Sequence, residues 1–228
     1  MFDLAKKKKI VNAVDFIFPE IDEWERVKEI IKNKEFGKLE HISVNWDFLS
    51  YDIKNNLSSW KTDIDQGGGA LSFYFSHVLY YLEYFAGEIV DVKSLLSHST
   101  ESINGGEVGV DLLLKFKKNI NGYAHLRCNA RGLNRHQLIF QFEKATVVLE
   151  NRNSVTENFC IRILTEDNSE DIIRHSKPRN ANEDQRVTEI RKIAKRFVIG
   201  CINQEQMKPS FEEGLRVQLL IEKIKSSS

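Results

Sequence analysis

The sequence predicts an α+β fold, a mostly antiparallel open sheet with helices packed on one of its faces. Two patterns carry that prediction. Six apolar stretches between Ile89 and Leu164 follow one another at short spacing, joined by tight turns with no helix between them, which is how antiparallel strands read. Amphipathic helical segments stand before, within and after that run, the arrangement of an α+β domain. The chain has 228 residues, 41% hydrophobic and 29% charged, enough for one complete core and part of another unit.

Taken in order, Leu4–Lys9 reads as the end of a helix, its lysines suiting the negative C-terminal pole. Ile10–Phe16 is a short apolar run of strand type. Together they predict the last αβ unit of an alternating α/β domain, over residues 1–18, ahead of an α+β domain over 19–228. Pro19 opens a helix, where its missing N–H costs nothing, and Ile21, Trp24, Val27 and Ile31 recur at helical spacing. Strict alternation follows Gly37: Ile42, Val44, Trp46 and Phe48 on one face, His41, Ser43, Asn45 and Asp47 on the other. Residues 50–66 are polar and loop-like around Trp60. Gly67-Gly68-Gly69 then gives way to a strongly apolar helix over 70–85, ended by Gly87.

The six strand candidates are Ile89–Leu96, Glu107–Phe116, Tyr123–Cys128, His136–Phe142, Thr146–Glu150 and Phe159–Leu164, with Asn121-Gly122 as a hairpin turn. Residues 165–185, with Pro178, read as an exposed loop. An amphipathic helix carries Val187, Ile190, Ala194, Phe197, Val198 and Cys201. Ser210 and Glu213 form a capping box for the last helix, opened by Pro209, and the closing serines 226–228 read as a frayed end. Several strands look apolar on both faces; Leu113 lies opposite Val110, Leu112 and Leu114. A sheet covered by helices on one side would then present an apolar face, so self-association through that face is expected.

Composition narrows the classes of partner. Lysine plus arginine and aspartate plus glutamate both total 33, a formal net charge of zero, which removes the usual electrostatic case for nucleic acid or an anionic membrane. No apolar run reaches the ~18 residues of a membrane span, and the first residues lack a secretory signal pattern. Three widely spaced cysteines argue against a disulfide framework or a cysteine metal site and fit the cytoplasm.

Residues 60–77 carry the most chemistry. Three glycines let the backbone approach a ligand or another chain closely, and the helix that follows offers free N–H groups to an anion; a plain flexible turn is the simpler reading of the same spacing. There is no G-x-G-x-x-G fingerprint. Phe73, His77 and Tyr80 or Tyr84 share a helix face distinct from the core stripe of Leu71, Phe75, Val78, Leu79, Leu82 and Phe85. A histidine there could transfer a proton, or could simply be packed among aromatics. Neither neighbour of His77 one turn away is a carboxylate: the positions hold Phe73 and Tyr81. His125 and His136, on neighbouring candidate strands, could face one another, but two histidines without a nearby ligand at fixed spacing do not make a metal site. Arg127, Arg131 and Arg135 form a small basic run, and Asp63 and Asp65 read as turn formers.

The chain resembles the C-terminal part of the glucose–fructose oxidoreductase/inositol dehydrogenase (Gfo/Idh/MocA) family. The landmarks are Glu35-Phe36-Gly37-Lys38-Leu39, Trp60 ahead of Gly67-Gly68-Gly69-Ala70-Leu71, His77, Gly87-Glu88, and Pro209-Ser210-Phe211-Glu212-Glu213-Gly214-Leu215. The resemblance implies an N-terminal Rossmann domain for NAD or NADP, an α+β domain that holds a sugar, cyclitol or related carbonyl compound, and an oligomer formed through the open sheet. It implies His77 as the proton-transfer residue and Trp60, Lys61, Gly68, Gly69 and Phe73 at the substrate. It also exposes two departures. The family's aspartate, one helical turn before the histidine, is Phe73 here, which can neither accept a hydrogen bond nor orient an imidazole. The cofactor-binding part is represented only by residues 1–18, so the dinucleotide site and the catalytic lysine of a Glu-Lys-Pro motif are expected outside this chain. The chain is therefore expected to bind substrate and oligomerise, and not to be catalytic alone; a non-catalytic ligand-binding or oligomer-partner protein is the alternative.

Overall fold

A computed structural model describes residues 1–100, 102, 104–152, 155–167, 170–174 and 183–227; Pro178 and Ser228 lie outside them. One eight-stranded sheet dominates, in the order β2-β3-β4-β1-β5-β6-β7-β8. The strands are β1 Leu39–Asp47, β2 Ile89–Ser97, β3 Gly109–Phe116, β4 Asn121–Arg127, β5 Arg135–Phe142, β6 Ala145–Asn151, β7 Cys160–Thr165 and β8 Glu170–Ile173. β1 runs parallel to β4; every other neighbouring pair is antiparallel. The helices are α1 Phe2–Lys8, α2 Asp22–Asn33, α3 Tyr51–Lys54, α4 Ala70–Phe73, α5 Phe75–Ala86, α6 Val187–Asn203 and α7 Phe211–Ser226.

Alternation along the strands sorts the two faces. Ile42 and Val44 of β1, Val110 and Leu112 of β3, Leu126 of β4, Leu138 and Phe140 of β5, Val147 and Leu149 of β6, and Ile161 of β7 are all buried on one side. The helices cover that side: α2 meets β6 and β7, α4 meets β3, and α7 meets both β2 and α5. Trp24, Tyr81, Phe75 and Phe140 are among its fully buried side chains.

The opposite face is mixed where the sequence suggests an apolar one. Leu113 is 60% exposed and Leu95 66%. At the centre of this face stands a polar cluster. His125 Nδ1 lies 2.7 Å from Asp111 Oδ1 and its Nε2 lies 3.1 Å from Asp47 Oδ1. Tyr123 donates to Asp111 at 3.0 Å, and Arg135 to Asp47 at 2.6 and 3.0 Å.

Four local expectations change. Residues 10–17 form no strand; they run as a strap held by side chains and by the loop before α7. Asn12 N donates to Gln206 Oε1 at 3.2 Å, Phe211 N to Asn12 Oδ1 at 2.7 Å, and Val14 N to Pro209 O at 3.1 Å. Pro19 sits in a 3-10 turn, Phe18–Glu20, just ahead of α2. Asn121 and Gly122 lie inside β4, and the hairpin turns earlier, where Asn119 has φ 60°. Gly122 is instead a close approach: a Cβ there would come within 2.9 Å of Ile42 O and 3.0 Å of the Phe116 ring. Finally β8, inside the stretch read as loop, adds an edge strand; its exposed, charged pattern gave no alternation to find.

Candidate functional site

The site is built where β1 ends and α4 begins. Trp46 is the last residue but one of β1, and Phe48 continues alongside Arg127, its N–H donating to Arg127 O at 2.9 Å. A 3-10 turn at Trp60–Thr62 starts from Ser59, whose hydroxyl accepts from Lys61 N at 3.3 Å. Asp63 then shapes the turn as expected of it, accepting from Asp65 N at 2.9 Å and Gln66 Nε2 at 2.7 Å. The segment lies against residues 104–107, with Gly106 N donating to Thr62 O at 3.0 Å and Ile64 N to Asn104 O at 3.2 Å.

These loops bring five aromatic rings into one continuous chain of contacts. Trp60 meets Phe73 edge-on at 5.2 Å, Phe73 meets Tyr74 at 4.7 Å, Tyr74 meets Phe48 at 4.9 Å, and Phe48 meets Trp46 at 5.2 Å. Trp60 is 52% exposed; the other four are half-buried, leaving aromatic surface to solvent. The Lys61 ammonium lies 5.1 Å from the centre of the Phe73 ring, a cation–π distance. Of the residues expected at a substrate, the structure thus gathers Trp60, Lys61 and Phe73. Trp46, Phe48 and Tyr74 join them unannounced: the alternation of β1 counts Trp46 and Phe48 as core, and Tyr74 is where the expected single helix breaks between α4 and α5.

Gly68 and Gly69 are packed against their own chain. A Cβ on Gly68 would stand 2.2 Å from Trp60 O, and one on Gly69, which has φ +103°, would stand 1.8 Å from Glu107 Oε2. The loop is compact against its own chain, and that close packing accounts for these two glycines. It also answers the anion question. Ala70 N is already spent on Glu107 O at 2.8 Å, and the buried Glu107 carboxylate presses on Gly69. A pyrophosphate would meet a negative charge there. With no G-x-G-x-x-G in the sequence either, the residues present do not fit a dinucleotide.

His77 begins the helical turn after this array, its N–H donating to Tyr74 O at 3.2 Å. Its ring meets Phe16 and Phe18 edge-on at 5.5 and 5.6 Å, and Phe18 in turn meets Trp46 at 5.5 Å. Nδ1 is enclosed without a hydrogen-bond partner. Burial pushes the imidazole down to about 4, so at neutral pH it is uncharged and a weak base. Among the described residues no acid is bonded to Nδ1, and the position one turn back holds Phe73.

His125 and His136 do not meet. β1 lies between β4 and β5, and His125 pairs with Asn45 while His136 pairs with Trp46; consecutive residues of β1 face opposite sides, so His125 is on the open face and His136 in the core. There His136 stacks on Trp46 at 4.4 Å, and its Nε2 is 3.1 Å from the Tyr81 hydroxyl. The basic run is likewise dispersed: Arg135 pairs with Asp47, and the Arg127 side chain covers Gly109. Among the described residues no group of three or more His, Cys, Asp or Glu side chains could hold a metal ion.

A groove of about 830 Å³ runs between the Phe18–Glu20 turn, α5, α6 and α7. Its charges are largely paired within the chain: Arg196 with Glu20, Lys208 with Glu213 at 2.9 Å, and Arg216 with Glu83 at 2.9 Å. It reads as the seam where the last two helices dock.

Comparison with known proteins agrees with this architecture. A solved levoglucosan dehydrogenase, in its apo form, superposes with a TM-score of 0.83 over 100% of this chain and 67% of its own, at 19% identity. Its complex with NADH and levoglucosan gives 0.84 over 99% and 66%, at 18% identity. An NAD binding oxidoreductase from Klebsiella pneumoniae gives 0.80 over 99% and 66%, at 16% identity. At such identities the likeness establishes the fold, and the chain spans about two thirds of the length of these structures. An uncharacterized oxidoreductase of Synechocystis sp. is 29% identical over 97 residues, 42% of this chain and 26% of that protein. The model of the GFO/IDH/MocA C-terminal domain matches residues 24–148. That match takes in more than half of the sequence, from α2 through β6 with the aromatic site inside it, and the chain therefore belongs to the Gfo/Idh/MocA oxidoreductase family, of which it carries the C-terminal domain.

Proposed function

We propose that residues 19–228 are the substrate-binding and oligomer-forming portion of an NAD(P)-dependent oxidoreductase acting on a sugar, cyclitol or related carbonyl compound, and that the chain does not catalyse the reaction unaided. The observation that carries this reading is the partly exposed aromatic array of Trp46, Phe48, Trp60, Phe73 and Tyr74 beside His77. Sugar rings present apolar C–H faces that pack on aromatic rings while their hydroxyls stay solvated. Similar folds bind such compounds: levoglucosan dehydrogenase has been solved with NADH and levoglucosan and with NADH and L-sorbose. NAD or NADP enters through the family alone; residues 1–18 are read as the end of the family's dinucleotide-binding domain, and the sequence holds no G-x-G-x-x-G loop. Three free cysteines and the absence, among the described residues, of a helix long and apolar enough to cross a membrane are compatible with a cytoplasmic setting.

A second reading, a non-catalytic ligand-binding or oligomer-partner protein, has its own supporting observation. Phe73 replaces the acid, and His77 is left uncharged with Nδ1 unpartnered.

Ligand-observed NMR on the purified chain with levoglucosan, L-sorbose and myo-inositol tests the binding claim. Saturation transfer to at least one of them, reduced by Trp60→Ala, is expected, with no change in NADH fluorescence. Hydride transfer by the chain alone, or no binding of any of the three, rejects the reading.

A further inference from the structure

We propose that this site selects a sugar bearing an anionic group, a carboxylate or a phosphate, and that Lys61 is the specificity-determining residue that pairs with it. The inference rests on the reading of the aromatic array as a sugar site and adds the charge of its substrate. Lys61 is half-buried, and its ammonium is held over the Phe73 ring at 5.1 Å. Among the described residues its ammonium has no acidic partner. Asp63 spends both carboxylate oxygens on residues 65 and 66 of its own turn. Asp52 is buried in α3, and Glu107 is packed against Gly69. A partly desolvated cation with no counter-charge, fixed beside aromatic surface, is a place where an anion gains more than it would in water.

The chemistry of position 73 points the same way. With an acid there, a neighbouring Lys61 would be neutralised from within the protein and the site would be matched to a neutral polyol. With Phe73 the positive charge remains available, and the ring that replaces the acid supplies an apolar face for the sugar. An ammonium is a point charge that accepts carboxylate or phosphate without demanding bidentate geometry, so the ion pair sets the charge of the ligand and the rings set its shape.

Titration calorimetry on the whole chain at low ionic strength, with glucose, glucuronate and glucose 6-phosphate, provides the test. At least one anionic sugar is expected to bind about tenfold more tightly than glucose, the scale of one charge-assisted contact. Which of the two is preferred distinguishes carboxylate from phosphate. That preference should vanish in Lys61→Met, survive in Lys61→Arg, and shrink as salt is raised, while acetate and inorganic phosphate alone bind far more weakly than the sugars. Equal binding of glucose and both anionic sugars, or a preference that Lys61→Met retains, overturns the proposal and leaves the sugar-site reading standing. Failure of all three sugars to bind removes that reading and this proposal together.

Discussion

At the scale of single residues, the glycine triplet separates two reasons for requiring glycine. Gly67 has φ +78° but open space around its Cβ position, whereas Gly69 has φ +103° and the Glu107 carboxylate where a Cβ would go. Gly67→Ala should therefore cost only the strain of a left-handed conformation, about 1 kcal/mol. Gly69→Ala should cost roughly 3 kcal/mol, because a buried, unpartnered carboxylate must also move. Urea denaturation of the two variants measures the difference, and equal losses would mean that the loop relaxes around the methyl group. His77 and His136 make a second prediction. Burial pushes His77 down to about 4 and His136, with help from the nearby His77, down to about 3. Both fold as neutral rings, so their burial carries no protonation penalty above the ordinary histidine value near 6.5. As pH falls below it, the unfolded chain takes up protons that the folded core refuses, and stability drops until the folded values are reached. Between pH 7 and pH 4.5 each ring should cost on the order of 2 kcal/mol. His77→Phe should flatten the pH dependence of the urea midpoint by about that amount; parallel curves for the two proteins would exclude burial of a neutral His77.

At the scale of elements, what could be read beforehand was what local pattern encodes. The alternation over 41–48 gave β1 and its two faces, and the six apolar runs gave β2 to β7 to within a few residues. Ser210 and Glu213 form the expected capping box, with Ser210 N donating to Glu213 Oε2 at 2.8 Å. What escaped was whatever depends on distant partners. The apolar composition of Ile10–Phe16 suits a strand, but a strand needs an edge to pair with. Here Asn12 instead joins the strap to the loop before α7 through Gln206 and Phe211, and Phe16 stacks on Tyr80 at 4.4 Å. The insertion of β1 between β4 and β5 is equally non-local; its register, with Asn45 opposite His125 and Trp46 opposite His136, puts the two histidines on opposite faces. Site residues divide by the same rule. Trp60, Lys61 and Phe73 are placed at the substrate by the family resemblance, whose landmarks include the glycine triplet beside them; the spacing alone reads as a flexible turn. Trp46, Phe48 and Tyr74 reach the array only through the docking of β1 against the α4–α5 break, which no spacing rule encodes.

At the scale of the whole molecule, the proposed oligomer would form through the open face of the sheet. Its centre is polar and already satisfied: His125 sits between Asp111 and Asp47, and Arg135 closes the cluster. The polar atoms of this centre are paired with one another within the chain, so covering it leaves few of them without a partner. Around it Leu95 and Leu113 stand exposed on the β2–β3 side, where Lys93 pairs across to Leu113. A face with a matched polar centre and aliphatic flanks suits association through the sheet, as the proposed oligomer requires, better than a uniformly apolar face, which would invite aggregation. Leu113 is the most informative residue in it, because its side chain contributes nothing to the buried core and much to any covered surface. Leu113→Glu places a charge on that flank and should shift the chain toward monomer, with at least a tenfold weaker association constant, for about 1.4 kcal/mol or more, and with its folded-state circular dichroism unchanged. Sedimentation equilibrium of wild type and variant across a concentration series reads this directly. A wild-type chain that stays monomeric at every concentration would remove the oligomer altogether, and a variant that associates as tightly as wild type would remove the sheet face as the interface and turn attention to the exposed Val198, Ile202 and Leu219 on α6 and α7.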